Sequence, residues 1–541
     1  METQDLKNAL PGFVRDAAER HGDRTLVVLE DQRLSYTEAD TRSAELAQGL
    51  LATGVGKGTR VGVLMSNGPD WVVAWLAAAR IGAVVVPLNT FYKARELGWV
   101  LRHADVDTLL CVDRFLGNDY LDRLEEFAPE LQGQSAPLHV PSLPYLRRVF
   151  VWGNGRSWSK ERGTLVGLSY AHPEIGGEFL GELETEVTAA DPMIVIYSSG
   201  STAAPKGAIH SHGTVLRHAA NLNGFRDLVQ EDRVYAPMPF FWVGGFVFTL
   251  VSTMHAGACL VTEKVFEPGA TLKLLEQERV TIVAGWPHYG KAMAEHPSFP
   301  ERDLSRIRTG NLYALLPERV DPELRSNSLG MTETCGPHTF DRMDRELPEE
   351  LRGSFGRALP GVEHKVVDPT TGETHAPGEV GEICVRGYSL MLGLYKAERE
   401  TTFDVDGYYH TGDAGYFDAD GVLFFEGRLG ELIKTAGANV TPREVEMTLE
   451  ALTDVAQAYV VGVPHPDRGE NVAAAVVLDE GSKTDRATLR DELKRQLSAY
   501  KIPRHLFLAE RSELPFTDTG KIDKKRLRED LASRIAAGDP G

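Results

Sequence analysis

The densest cluster of potentially reactive residues is Tyr197-Ser-Ser-Gly-Ser-Thr-Ala-Ala-Pro-Lys-Gly207, which follows the apolar run Met193 to Ile196 without a break. Phosphate binding needs donors with little bulk. Backbone N–H groups exposed around Gly200, hydroxyls of Ser198, Ser199, Ser201 and Thr202, and the cation of Lys206 meet that need within a few residues. The apolar run reads as a buried strand, so the loop leaves a strand end. It is not the phosphate loop of kinases and GTPases, because Pro205 stands where glycine should precede the lysine and Gly207 where Ser or Thr should follow. By composition alone the same loop serves equally well as polar chain punctuation.

Other charged residues stand beside glycine and threonine farther along: Ser328-Leu-Gly-Met-Thr-Glu-Thr334, Tyr409-His-Thr-Gly-Asp413, Gly427-Arg428 and Pro515-Phe-Thr-Asp-Thr-Gly-Lys521. Taken singly, Glu333 is a surface or capping carboxylate, Asp413 a turn former, Arg428 half of a surface ion pair and Lys521 a solvated lysine. Taken in this order, with the hydroxyl-rich loop first, the five motifs resemble those of the adenylate-forming superfamily. That superfamily contains acyl-CoA synthetases, firefly luciferase and the adenylation domains of peptide synthetases. The resemblance covers nearly the whole chain and lies nearest to acyl-CoA synthetases.

The resemblance implies a two-step reaction using ATP, Mg2+ and coenzyme A: a carboxylic acid becomes an acyl-adenylate with loss of pyrophosphate, and a thiol then displaces AMP. It assigns catalysis to Lys521, Thr332, Glu333 and Lys434, and the metal to Glu333. The nucleotide would be held by Ser198, Ser199, Gly200, Ser201, Thr202, Lys206, Asp413 and Arg428, and the pantetheine arm by Gly437 and Asn439. Lys521 near the bridging oxygens and a cation on Glu333 would offset charge that grows at the α-phosphate. Asp413, an acceptor-only carboxylate, suits two ribose hydroxyls. The acid would enter beside Met238-Pro-Phe-Phe-Trp-Val-Gly-Gly245, where Phe241, Trp242, Gly245 and Phe246 form an apolar, aromatic cleft for a fatty, aromatic or alicyclic chain. The same aromatics could simply fill the core.

Some positions depart from the superfamily pattern. Thr309-Gly-Asn-Leu-Tyr-Ala-Leu-Leu-Pro317 replaces a Gly-Gly-Ala-Pro type loop, with Asn311 and Tyr313 as candidate adenine contacts. Leu329 stands where an aromatic residue commonly packs on adenine, Trp242 where histidine gates the acyl pocket, and Gly430 where Asp or Lys forms the hinge. Three rival functions remain open: delivery of the acyl group to a carrier protein, a luciferase-like oxygenation, and nucleotide binding without turnover.

These residues need elements to position them. The chain has 541 residues, enough for two to four domains. From Pro11 to about Asn89, and again from Met193 to about Thr309, apolar runs alternate with helical patterns, the signature of α/β subdomains. Residues 129 to 190 read as irregular connection without a core, ending in an acidic patch near Glu182 to Glu186. Gly353 to Phe425 reads as a small β subdomain. The expected fold class is therefore α/β: a large N-terminal domain of two α/β subdomains plus a small β subdomain, residues 1–427. A small mobile α+β domain, 428–541, follows. Its expected elements are helices Pro442 to Leu452 and Ala487 to Leu497, and strands Val455 to Val463 and Val472 to Leu478.

Composition restricts the partners. Lys and Arg number 58 against 78 Asp and Glu, a net charge of −20, which argues against nucleic acid and leaves a small carboxylic acid and coenzyme A as partners. The four cysteines, Cys111, Cys259, Cys335 and Cys384, lie far apart and fit reduced thiols better than disulfides or a zinc site. With no signal-like apolar stretch in Met1 to Leu10, the expected location is cytoplasmic. Phe240 to Val261 carries no Asp, Glu, Lys or Arg, and is read as a buried strand and helix at the base of a cleft rather than a membrane span. Peripheral membrane contact and a homodimer stay open.

Overall fold

The computed structural model describes residues 9–198, 205–316, 321, 324–325, 327–343, 345–429, 433–440, 442–516, 522–539 and 541, with the backbone alone for 426–428, 439 and 443. Contacts divide the chain into two units. The larger holds the described residues of Met1–Thr90, Gly98–Tyr197 and Gly207–Gly427, and the smaller those of Phe91–Leu97, Ser198–Lys206 and Arg428–Gly541.

Valine-rich runs build the first sheet. Its eight strands run in the order Gly393–Leu394, Lys206–Ser211, Pro192–Ser198, Val84–Pro87, Arg60–Leu64, Thr108–Val112, Arg148–Trp152, Lys160–Glu161. The pairings from Pro192–Ser198 outward to Lys160–Glu161 are parallel. Parallel strands are covered on both faces, and Val84–Pro87 is accordingly buried at every position. A second sheet of six strands, Thr309–Gly310, Ile282–Val283, Arg233–Tyr235, Cys259–Thr262, Thr25–Leu29 and Gln32–Ser35, is also parallel except at its last pair. Helices start where capping residues permit. Ser35 and Glu38 form a reciprocal capping box before Tyr36–Ala52, and Ser211 Oγ accepts the Thr214 N–H at the head of His212–Arg226.

The small β region is an antiparallel sheet of Val362–Val367, Gly381–Gly387, Tyr409–Phe417 and Leu423–Arg428. In the smaller unit, Val455–His465 and Gly469–Leu478 form a long antiparallel ladder, and His505–Leu508 adds in parallel. Helices Pro442–Glu450, Arg486–Gln496 and Lys524–Ala536 complete it. These ends fall within a few residues of the expected ones.

Residues 129 to 190 correct the sequence reading. They contribute strands Arg148–Trp152 and Lys160–Glu161 and helices Arg162–Ala171 and Gly177–Thr185, and they bury Leu138, Leu143, Trp158, Leu165 and Leu180. Glycine and proline between short elements had hidden the period. The acidic patch is also partly internal: Glu184, buried, takes the Arg80 Nε–H at 2.5 Å, while Arg80 reaches Asp40 Oδ1 at 3.0 Å and Ser43 Oγ at 2.8 Å. Removing one partner of a buried pair strands the other charge. Glu184→Leu is expected to cost about 3–5 kcal/mol of stability, read from urea unfolding; a loss near zero would mean that Arg80 finds other partners.

Phe240 to Val261 contains the expected helix and strand, with the helix first and the strand Cys259–Thr262 after it, and no helix among the described residues is long and apolar enough to cross a membrane.

Candidate active site

The strand Pro192–Ser198 delivers Tyr197 and Ser198 to the start of the hydroxyl-rich loop, and Lys206 opens the strand that leaves it. Ser198 and Lys206 are both half-buried. Ser199, Gly200, Ser201 and Thr202 lie outside the described residues, as do Gly430 and Lys521. The loop's root is anchored by Tyr197, whose hydroxyl meets His103 Nδ1 at 2.8 Å, with Trp99 stacked on His103 at 4.5 Å between centroids. Burial, and then the neighbouring Lys396, lower the His103 pKa, which favours the neutral ring.

Thr332 and Glu333 sit in a single 3-10 turn, Thr332–Thr334, ended by Cys335 at φ 62. Two outside contacts fix that turn. His210 Nε2 lies 2.8 Å from the Thr332 carbonyl, and the Met391 N–H reaches the Glu333 carbonyl at 2.8 Å. Both anchors belong to the same frame. His210 is in the strand Lys206–Ser211, and the segment after Met391 pairs antiparallel with that strand, Ala208 opposite Leu394 and Ile209 opposite Gly393. Thus the strand leaving the hydroxyl-rich loop carries the Thr332–Glu333 turn on its edge and its ring. A carbonyl can only accept, so Nε2 of His210 holds the proton. Burial drives this histidine down to about 4, which keeps it neutral. The Glu333 carboxylate is half-exposed and makes no ion pair among the described residues. A cation held by such a carboxylate would be a hard one, since these prefer oxygen ligands.

Behind the turn lies a group of histidines that the sequence reading did not single out. His218 Nδ1 meets the Tyr388 hydroxyl at 3.1 Å, Asn221 donates to the same oxygen at 2.6 Å, and Arg217 lies over the Tyr388 ring at 4.1 Å. His338 Nδ1 and His364 Nε2 are 2.8 Å apart. Burial lowers the pKa of His218 to about 3 and of His364 to about 4. Only the motif His210-Ser-His212 could have pointed to this group; His218, Asn221 and Tyr388 carry no local signal.

Asp413 is buried on the strand Tyr409–Phe417, its N–H bonded to Thr411 Oγ1 at 3.0 Å, while that hydroxyl donates to the Ile383 carbonyl at 2.6 Å. The preceding Gly412 N–H bonds to Glu382 Oε1 at 3.0 Å. Arg428 is the last residue of Leu423–Arg428. In the smaller unit, Lys434 and Asn439 are directly opposed across a hairpin whose two turn residues, Ala436 and Gly437, both have positive φ. That is the geometry of a tight primed turn. Lys434 is exposed, and its N–H bonds to Glu470 Oε2 at 3.0 Å.

The expected acid-binding residues separate into two sets. Asn67 clamps the segment Met238–Phe240, donating to the Met238 carbonyl at 2.8 Å and accepting the Phe240 N–H at 2.8 Å. There follows a π-helix, Gly244–Val251, a rare form enriched at functional sites. Gly245 packs so closely that a Cβ would lie 2.0 Å from the Pro239 carbonyl oxygen. Phe241 is buried and Trp242 half-buried, their rings 5.2 Å apart. Phe246 faces the core, edge-on to Trp75 at 4.9 Å and near Trp71 at 5.8 Å. Asn311, a candidate adenine contact, has its side-chain amide engaged at both ends by the Gly285 backbone, at 2.8 and 2.9 Å.

Comparison with known proteins agrees with this arrangement. The family model described as AMP-binding enzyme matches residues 14–395, and that of the AMP-binding enzyme C-terminal domain matches 444–521. A putative acyl-CoA synthetase, YngI, of Bacillus subtilis is 33% identical, over 97% of each chain. A mitochondrial medium-chain acyl-CoA ligase, ACSF2, of Bos taurus is 30% identical over 98% of this chain and 89% of its own. Among solved structures, the amide bond synthetase McbA from Marinactinospora thermotolerans superposes with a TM-score of 0.77 at 26% identity, covering 96% of this chain and 99% of the other. Matched by family models along most of its length and by relatives that cover nearly all of it, the chain belongs to the AMP-binding enzyme family, among its acyl-CoA ligases.

Proposed function

We propose that this ligase joins a medium-sized apolar carboxylic acid to coenzyme A in two steps, with the chain divided functionally at Arg428. A carboxylate oxygen of the acid attacks the α-phosphorus of ATP, the bond to the β-phosphate breaks, and pyrophosphate leaves. The thiolate of coenzyme A then attacks the acyl carbonyl, the mixed anhydride breaks, and AMP leaves. The anhydride makes the second attack easy because AMP is a far better leaving group than the oxygen of a free carboxylate.

The observation that carries this reading is the fixed turn: His210 and Met391 hold Thr332 and Glu333 against the strand that leaves the hydroxyl-rich loop. In the proposal Glu333 is the magnesium ligand, and the ion supplies charge neutralisation to the phosphates. Ser198, Lys206 and the loop between them hold those phosphates, Asp413 takes the ribose hydroxyls, and Arg428 and Lys521 serve the nucleotide. Lys434, Gly437 and Asn439 serve the second step. Phe241, Trp242 and Gly245 face the acid, and Phe246 supports them from the core. The medium-chain acid of the mitochondrial relative's name motivates the choice of acid. Four free, buried thiols support a reducing, cytoplasmic setting.

The test is incubation of the full chain with ATP, magnesium, coenzyme A and a panel of fatty, aromatic and alicyclic acids, read by mass spectrometry. Acyl-CoA and AMP are the expected products. Adenylates without thioesters would assign the acyl group to another acceptor, such as a carrier protein or an amine, and the absence of both would overturn the reading.

The fixed turn also gives His210 a positioning role. His210→Leu removes the donor to the Thr332 carbonyl and is expected to lower the adenylation rate about tenfold, as loss of an orienting partner typically does. KM for coenzyme A should not move. An equal loss in both half-reactions would indicate general damage instead.

A further inference from the structure

Three side chains outside the proposed nucleotide contacts form a second constellation. Glu382 and Cys384 stand two apart on the strand Gly381–Gly387 and so share a face, and His410 on Tyr409–Phe417 is the register partner of Cys384. One ligand atom from each, Glu382 Oε2, Cys384 Sγ and a ring nitrogen of His410, all lie within 4.8 Å of one another. Sγ is 3.5 Å from His410 Nδ1, and Glu382 Oε2 is 2.8 Å from the same nitrogen. Around tetrahedral zinc, a sulfur at about 2.3 Å and a nitrogen at about 2.0 Å from the ion stand about 3.5 Å apart. The Cys384 to His410 spacing already meets that value, and the glutamate needs to open by roughly half an ångström.

The opposite edge of the ring supplies a second observation. Metal-bound histidines commonly give their other N–H to a carboxylate, and here Asp404 Oδ2 lies 3.7 Å from His410 Nε2. Asp404 is itself fixed by Lys365 at 2.6 Å, and Lys365 is the register partner of Cys384 on the next strand. A row of three residues across three strands, backed by a held carboxylate, is more order than a lone thiol beside an ion pair requires.

We propose that Glu382, Cys384 and His410 bind a transition-metal dication of the zinc class, with an open fourth position, separate from the magnesium ligand at Glu333. The donor set selects the ion. Thiolate, imidazole and carboxylate together suit zinc or cobalt, whereas magnesium requires oxygen donors throughout. The buried thiol sits beneath the site, and the imidazole, 42% exposed, gives the ion a way in from solvent. The site would need only one cysteine, because strand pairing brings His410, 26 residues from Cys384 and 28 from Glu382, beside both.

Cobalt(II) is the probe. The full chain, stripped by chelator and free of nucleotide, is titrated with Co2+ in excess Mg2+. Binding should saturate at one equivalent with a near-ultraviolet thiolate-to-cobalt charge-transfer band. Cys384→Ser should abolish the band, and His410→Asn should weaken cobalt binding at least about tenfold. Absence of the band in the unaltered protein, or its persistence in Cys384→Ser, would overturn the proposal. Should Cys384→Ser fail to fold, the exposed His410→Asn variant decides alone, because unchanged cobalt affinity in it is equally fatal. None of these readouts depends on ligase activity.

Discussion

Replacing Glu333 by glutamine is expected to slow adenylate formation by a factor of about 10²–10³, the loss seen when one group that stabilises developing charge is removed. The substitution keeps shape and volume, and the contacts that fix the turn are made by backbone carbonyls rather than by this carboxylate. Stability should therefore change by less than about 0.5 kcal/mol. The second half-reaction, started from a supplied acyl-adenylate, requires no phosphate neutralisation by this residue and should keep nearly its full rate. Pyrophosphate release measures the first step, and thioester formation in a single turnover measures the second. Equal losses in both would assign Glu333 to the architecture of the turn and remove it from the proposed chemistry.

The buried histidines make mild acid the second large effect. Burial holds His210 and His212 at about 4 and His218 at about 3, and pushes His338 far down as well. All four are neutral in the fold, whereas in the unfolded chain a histidine titrates near 6.5. Above pH 6.5 both states are neutral and the stability is intact. As pH falls below 6.5 the unfolded state takes up protons that the fold refuses, so stability is lost progressively until about pH 4, where the folded rings begin to titrate. At pH 5 the first three contribute a loss of about 2 kcal/mol each, or about 6 kcal/mol together. Total stabilities are typically about 5–15 kcal/mol. Denaturant unfolding followed by circular dichroism at stepped pH should therefore show the stability of the larger unit falling steadily from pH 6.5 toward pH 5. A fold that holds to pH 4 would mean that water or structural relaxation solvates these rings. His212 adds a specific marker, because its Nδ1 accepts the Leu10 N–H at 3.2 Å and protonation destroys that bond.

What could be read from the sequence follows from how local each signal is. The strand before the hydroxyl-rich loop and the apolar runs of both parallel sheets each occupy one contiguous stretch, so pattern sufficed, whereas the Thr-Glu motif stood out only through the family resemblance. The strand Arg148–Trp152 escaped because its partners in the sheet are distant and its flanks are rich in glycine and proline. His210 escaped for a different reason: its meaning lies in a carbonyl 122 residues away. The same holds for Gly393 and Leu394, which are unremarkable as residues and matter only as the strand that closes the edge beside Ile209. Cross-strand neighbours such as Cys384 and His410 become adjacent only once register is known. Phe246 is the reverse case, since an aromatic residue near a proposed cleft carries no sign of which side of its helix it faces, and here it packs against Trp71 and Trp75.

The π-helix Gly244–Val251 also bears on how this protein could change over generations. A π-turn holds one residue more than the α-turn it replaces, so losing a single residue there restores ordinary helical geometry without breaking the chain's path. Because the bulge already absorbs the extra residue, the flanking elements would keep their places and only the residues within the turn would change face. Those residues lie between Trp242 and the helix's far end, beside a Phe246 packed against Trp71 and Trp75. One codon's deletion could thus reshape the acid cleft while both parallel sheets keep their positions, giving relatives built on this frame a short route to new acids.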